Sequence, residues 1–294
     1  MKVVVIGAGQ TGSQIGVEFL LAGHEVLFIA RRPGEAAARV DAALRLAGEF
    51  QLAPADTLTG AKAAVAVVSS VAEASGFADL VLESIVEELE AKKQVLRAAA
   101  RTFPGALLAS NTSSLSITAL GEASGAAERM LGIHYLSPPL LTRPVEVVVG
   151  ARTARNAVER ACAILHGLGK LPVVVERDVP GFVWNRLQFA LLREALWLVG
   201  EGVASPETVD AVVKEGLARR WRYTGPFETL ALGGVAQFRV IAANLFPELS
   251  TAQTVDDHAL PAAKDEAMLA ELRDRRDRGL AEELLRSRAV EPGA

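Results

Sequence analysis

Cysteine is almost missing from this chain of 294 residues: Cys162 stands alone, so no intrachain disulfide and no all-cysteine metal site can form. A reducing compartment is the expected home. Histidine is scarce as well, with four in the chain and no pair at a metal-ligand spacing, so no metal site is expected. Neither sign of charge is in real excess, because 31 basic residues face 35 acidic ones, and neither nucleic acid nor an anionic membrane is an expected partner. No apolar run reaches the ~20 residues of a membrane span, and Met1 to Ile6 run straight into a glycine turn, which leaves no room for a signal sequence. A cytoplasmic location is expected on these grounds.

What is present is the composition of a soluble globular protein, with half of the residues hydrophobic and 22% charged. The length exceeds the usual ceiling for one hydrophobic core, so two domains of unequal size are expected. "KVVVIGAGQTGSQIGVEFLLAGHEVLFIARR" reads as a buried strand, a glycine turn, a helix over about Gln10 to Ala22 and a second buried strand from Glu25 to Ile29. Short apolar β runs recur at Val65 to Val68, Leu80 to Ile85, Leu107 to Ser110, Met130 to His134, Val145 to Val149 and Val173 to Val175, most of them separated by helical stretches. Strands that alternate with helices call for a doubly wound parallel sheet of the Rossmann type, since parallel neighbours need a covering crossover. Pro180-Gly181 then breaks the pattern, and Phe182, Leu187, Leu191, Leu192, Ala195 and Leu198 recur at helical steps. The expected division is a dinucleotide-binding domain over 1–178 and a smaller all-α domain over 179–294, with an amphipathic terminal helix over 264–288.

Gly7-x-Gly9-x-x-Gly12, with Gln10 and Thr11 between the last two glycines, follows a strand and opens a helix. Backbone N–H groups at such a helix start can approach a pyrophosphate with no side chain in the way. At the end of the second strand an acidic residue would hold the ribose 2′-hydroxyl of NAD, but the chain reads Ile29-Ala30-Arg31-Arg32. Two guanidinium groups suited to a 2′-phosphate favour NADP, with NAD left open.

"LLASNTSSLSIT" ends a strand in Ser110-Asn111-Thr112-Ser113-Ser114, where a doubly wound sheet faces its cofactor. His134 closes another short β run, so Ser113 and His134 can meet, and Glu146 on the next segment can accept from the second imidazole nitrogen. Such a pair suits hydride chemistry: the imidazole takes the alcohol proton while the glutamate fixes its tautomer. His24, His166 and His258 sit in a turn, a helix and a polar loop and read as structural.

With these residues in place, the chain resembles the 3-hydroxyacyl-CoA dehydrogenases and their relatives acting on free acids, the L-gulonate 3-dehydrogenases (lambda-crystallin) and carnitine dehydrogenases. The resemblance rests on the glycine turn, "SNTSS", a histidine 21 residues after Ser113, a glutamate twelve beyond it, "PGFVWNRL" and "GPFETL", and covers nearly the whole chain. It implies His134 as general base, Glu146 as its partner, and Ser113 with Asn185 as the groups bonding the substrate oxygen. It further implies Glu87 and Lys92 along the nicotinamide ribose, Asn111 at the cofactor, a homodimer formed through the helical domain and a place in fatty acid metabolism.

The match departs at Ser137, where many members have asparagine, followed here by Pro138-Pro139, and at Arg143, which is placed to meet a substrate carboxylate or to serve as a surface charge. The segment Gly34 to Ala64 has only Arg39, Arg45 and Lys62 as cations, set against Glu35, Asp41, Glu49 and Asp56, a poor grip for a nucleotide with several phosphates. Three readings therefore stay open: a dehydrogenase of a 3-hydroxyacyl-CoA or related 3-hydroxy acid, a reductase of a small 3-oxo acid or imine without CoA, and a non-enzymatic dinucleotide-binding protein of the crystallin kind.

Overall fold

The computed structural model describes residues 1–74, 76–260 and 264–290, which fall into two units. The first holds residues 1–183 together with the terminal helix, and the second runs from Trp184 to Asp265.

In the first unit, β1 (Lys2–Ile6) is apolar on both faces and leads through the glycine turn into α1 (Gln10–Leu21) and β2 (Glu25–Ile29). A helical hairpin, α2 (Pro33–Glu49) and α3 (Ala55–Ala63), precedes β3 (Ala66–Val68). The chain continues through β4 (Leu80–Glu83), α4 (Leu89–Thr102), β5 (Leu107–Ser110), α5 (Ile117–Ser124), β6 (Met130–Tyr135), β7 (Pro144–Val148), α6 (Arg155–Gly167) and β8 (Leu171–Val175). The eight strands form one sheet in the order β3-β2-β1-β4-β5-β6-β7-β8. Two apolar clusters cover its faces: Val3, Val5, Phe19 and Phe28 belong to one, and Val4, Val81, Leu96 and Phe103 to the other.

One step departs from the all-parallel expectation, because β6 and β7 pair antiparallel while every other neighbouring pair is parallel. Residues 136–143 are too few for a crossover, which takes a dozen or more, so the chain turns straight back on itself. The turn-back sets His134 directly opposite Glu146.

The two compact units part between Val183 and Trp184, whereas the expected division stands at 178 and 179. Residues 179–183 return to the sheet: Phe182 is buried instead of joining a helical stripe, and the Val183 N–H donates to Glu146 Oε1 at 2.9 Å. The next helix, α7, begins at Trp184 (Trp184–Gly200). The terminal helix, numbered α12 (Glu266–Val290), belongs with the first unit instead of the helical domain. Arg288 donates to the carbonyl of Leu52 at 3.1 Å, Arg278 lies 3.9 Å from Glu49, and Ala281 and Leu284 are buried.

Among the described residues the regular structure of the second unit is all helical, with α7, α8 (Pro206–Ala211), a π turn (Val212–Leu217), α9 (Ala218–Trp221), α10 (Pro226–Gly233) and α11 (Val235–Leu245). None of these helices has a residue buried within the chain. Among the described residues no single helix is long and apolar enough to cross a membrane.

Candidate active site

Three of the four residues read from the sequence as the reacting group converge at the C-terminal ends of the central strands. Cross-strand pairing brings the side chains of His134 and Glu146 onto one face, where both are buried, and His134 Nδ1 lies 2.7 Å from Glu146 Oε2. A carboxylate can only accept, so Nδ1 carries the proton and Nε2 is left with a lone pair. That nitrogen lies 3.1 Å from the hydroxyl of Ser113, which is exposed. The fourth residue, Asn185, lies in the first turn of α7, in the second unit.

Two further groups complete the pair and escaped the sequence reading. The ring of Phe182 meets that of His134 edge-on, with centroids 5.6 Å apart, and Phe182 holds φ at +50°. A left-handed backbone at a bulky, buried residue costs of the order of 1–3 kcal/mol and persists only where its surroundings hold it. Here the following N–H binds the second oxygen of Glu146, so both carboxylate oxygens have a donor. The sequence signal was Pro180-Gly181, which marks the break but not the direction in which the chain re-enters.

The loop carrying Ser113 is fixed by Glu87. One carboxylate oxygen of Glu87 accepts from Thr112 Oγ1 at 2.6 Å, from the N–H groups of Ser113 and Ser114 at 3.0 Å each, and from Ser114 Oγ at 2.9 Å. Partial burial would raise its pKa, but the bonds from Thr112 and Ser114, the nearby Lys92 and the Ser113 N–H outweigh it and hold the group below the ordinary carboxylate value.

Lys92, which the family pattern implied along the nicotinamide ribose, is held by acids and a carbonyl of the chain itself. Its side chain is 1% exposed, and its ammonium bonds Glu83 Oε1 at 2.6 Å and the Ile85 carbonyl at 3.3 Å, with Glu87 at 3.4 Å. A buried charge is tolerated only when so paired. Glu83, also buried, accepts from Ser110 Oγ through its other oxygen at 2.6 Å. Asn111 joins strand ends: its carbonyl accepts from the Tyr135 N–H at 2.8 Å and its amide faces Ser84 Oγ at 3.5 Å.

The glycine turn divides into supports and an opening. Gly7 holds φ at +99° with its backbone against Ser84, and a Cβ on Gly12 would collide with the carbonyl of Gly7. A Cβ on Gly9 would meet nothing within 4 Å, so the open side of the turn lies there, beside the free N–H groups that begin α1 at Gln10 and Thr11. That opening, on a helix N-terminus beyond the first strand, fits a dinucleotide pyrophosphate. Arg31 and Arg32 are exposed past β2, and Arg32 is paired with Glu35 at 2.7 Å. A separate cavity of about 620 Å³, lined by Lys2, His24, Thr57 and Phe77, lies at the opposite ends of the strands and contains none of these groups.

Comparison with known proteins gives consistent matches. The family model described as "3-hydroxyacyl-CoA dehydrogenase, NAD binding domain" matches residues 2–179, and that of the C-terminal domain of the same family matches 181–276. A 5-formyl-3-hydroxy-2-methylpyridine 4-carboxylate 5-dehydrogenase of Mesorhizobium japonicum is 36% identical over 196 residues, 65% of this chain and 62% of that protein, so the chain spans less than two thirds of it. An L-carnitine dehydrogenase of Streptomyces coelicolor is 34% identical over 96% of this chain and 93% of its own length. A crystal structure of an enzyme of the first kind, described as an NAD+ dependent dismutase, superposes with a TM-score of 0.84 at 28% identity over 96% of both chains.

The glycines make a divided expectation. Gly12→Ala should lower stability by roughly 1–3 kcal/mol through overpacking, whereas Gly9→Ala should unfold at the wild-type urea midpoint and bind NADH and NADPH at least ten times more weakly. Urea unfolding followed by fluorescence titration of each variant checks both halves.

Proposed function

The chain belongs to the 3-hydroxyacyl-CoA dehydrogenase family, and from that premise we propose that it is an NAD(P)-dependent dehydrogenase of a small hydroxy acid that carries no CoA. The observation that carries this choice is the state of the α2–α3 hairpin. Its cations are already matched by its own acids: Arg39 with Glu35 at 3.9 Å, Lys62 with Asp41 at 2.7 Å, and Arg45 with Asp41. Phosphates of a CoA moiety would have to compete with these carboxylates in solvent. The relatives named for carnitine and for a pyridine carboxylate agree with a substrate of that size.

The dinucleotide, when bound, supplies the hydride acceptor or donor. Gly7, Gly9 and Gly12 with the first N–H groups of α1 would hold its pyrophosphate. We assign NADP as the preferred form, because β2 ends without an acid and Arg31 stands exposed beyond it; Glu35 draws Arg32 away from the same task. His134 takes the proton of the substrate hydroxyl at Nε2, and Glu146, already bonded to Nδ1, stabilises the imidazolium that forms. Ser113, within 3.1 Å of Nε2, donates toward the developing alkoxide, and Asn185 is assigned the second donor by the family pattern. In the reverse direction the same imidazole returns the proton.

We further assign a homodimer formed through the helical unit. Trp184, Leu187, Phe189, Trp221, Phe227 and Phe246 are all exposed, and helices in a protein draw most of their stability from a packed apolar face, which these lack within the chain. A second copy would supply the missing cover.

Two measurements follow. Oxidation assays with NAD+ and NADP+ against L-carnitine, other small hydroxy acids and 3-hydroxybutyryl-CoA should show turnover of a free acid, faster with NADP+; turnover of the thioester alone would refute the proposal. Light scattering at micromolar concentration should give twice the 31.0 kDa chain mass, and a monomer would contradict the dimer.

A further inference from the structure

The connection between β6 and β7 is gripped from below by a lysine that none of the chemistry described so far requires. Lys170, just ahead of β8, is buried, and its ammonium donates to the carbonyl of Pro139 at 2.7 Å and to that of Thr142 at 2.7 Å. It also lies 2.5 Å from Glu18 Oε1 on α1. Three N–H bonds thus meet three acceptors, and the face of the Tyr135 ring lies 5.7 Å from the same nitrogen. A second bond runs from α1 to the connection, where Gln14 Oε1 accepts from the Leu140 N–H at 3.4 Å.

The ion pair alone does not explain this arrangement. Replacing a buried ion pair by apolar side chains of like volume is often neutral or stabilising, whereas removing one partner alone is costly. Burial pushes the carboxyl of Glu18 above its ordinary pKa against the pull of Lys170, and burial with the neighbouring Glu18 pushes the Tyr135 phenol well above its own. What Lys170 does that an apolar residue cannot is hold two carbonyls of residues 136–143, the segment whose two ends carry His134 and Glu146.

We propose that Lys170 is a positioning residue for the His134–Glu146 pair, clamping the β6–β7 connection through Pro139 and Thr142 and tying it, by Glu18 and Gln14, to the helix that begins at the dinucleotide turn. The proposal rests on the proton-transfer role of that pair. Without the clamp the connection is free to shift, and the cross-strand bond between imidazole and carboxylate loosens with it. Placement errors of about 1 Å at a reacting group cost up to ~100-fold in rate.

The test separates placement from stability by removing both charges. Glu18→Gln with Lys170→Met conserves volume and leaves no unpaired charge, so the variant should still fold cooperatively, with a melting temperature lowered only by the two carbonyls it frees. Histidine-selective ¹⁵N labelling then reports on His134, its signal assigned by its loss in His134→Gln. In the wild type the Nδ1–H resonance should be far downfield and slow to exchange with water, as a bond of 2.7 Å to a buried carboxylate requires. In the double variant it should broaden or disappear, and kcat should fall roughly 10- to 100-fold while KM for the dinucleotide stays within about twofold. A stable double variant with a wild-type resonance and wild-type kcat would overturn the proposal. If the resonance is lost while no hydroxy acid is turned over even by the wild-type protein, the clamp stands and the assigned substrate class falls. Should the double variant not fold, Lys170→Gln, uncharged and one atom shorter than the carbonyls require, is read by the same resonance, with its retention counting against the clamp.

Discussion

The reversal of direction between β6 and β7 is the constraint on which the site depends. Had the chain crossed over to add another parallel strand, His134 and Glu146 would lie in different registers, and only an unrelated loop could supply the acid. The antiparallel turn-back places them opposite each other on one face of a sheet, the arrangement in which cross-strand side chains touch. Burial then removes water from the pair, so the bond between imidazole and carboxylate is not diluted by solvent. A buried carboxylate needs both oxygens satisfied, which accounts for the return of the chain at Val183 and for the strained backbone at Phe182.

The buried charged groups around the pair are likewise matched by opposite charges. Glu83 and Lys92 answer each other at the ends of β4 and α4, and Glu87 spends one carboxylate oxygen on the loop that presents Ser113. Lys170 and Glu18 do the corresponding work on the opposite face, under the connection that carries the histidine and the glutamate. Each buried charge is bonded to a backbone or side-chain group of a segment adjoining the site, so the cost of burying it is offset by a fixed position for that segment. The acids of the α2–α3 hairpin are a contrasting case: they lie toward solvent and neutralise cations that would otherwise face a phosphate.

Much of this was legible in the sequence. The glycine turn, the β runs and the spacing of Ser113, His134 and Glu146 are local signals, fixed by period and by residue type, and the strands lie within a residue or two of where their apolar runs stand. The direction of β7 was not read, because strand polarity depends on the length of a connection whose prolines look like any other loop. Phe182 fits a helical stripe by spacing and yet turns inward, since a single left-handed residue after Gly181 leaves no trace in hydrophobic periodicity. Lys92 and Lys170 look like surface residues for a similar reason: a buried lysine is revealed by its partners, and Glu83 and Glu18 lie on other segments. The terminal helix reads as part of the helical domain by composition, and only its contacts at Leu52 and Glu49 return it to the sheet.

The central claim is that the histidine facing Glu146 carries the proton. Steady-state kinetics of His134→Gln, with the hydroxy acid that the wild-type protein turns over, tests it most directly once fluorescence titration has shown that the variant binds the dinucleotide as the wild type does. A fall in kcat/KM of roughly 10²- to 10⁴-fold with unchanged dinucleotide affinity is expected for a lost general base. Turnover within threefold of wild type would contradict it and place the proton transfer elsewhere in the site.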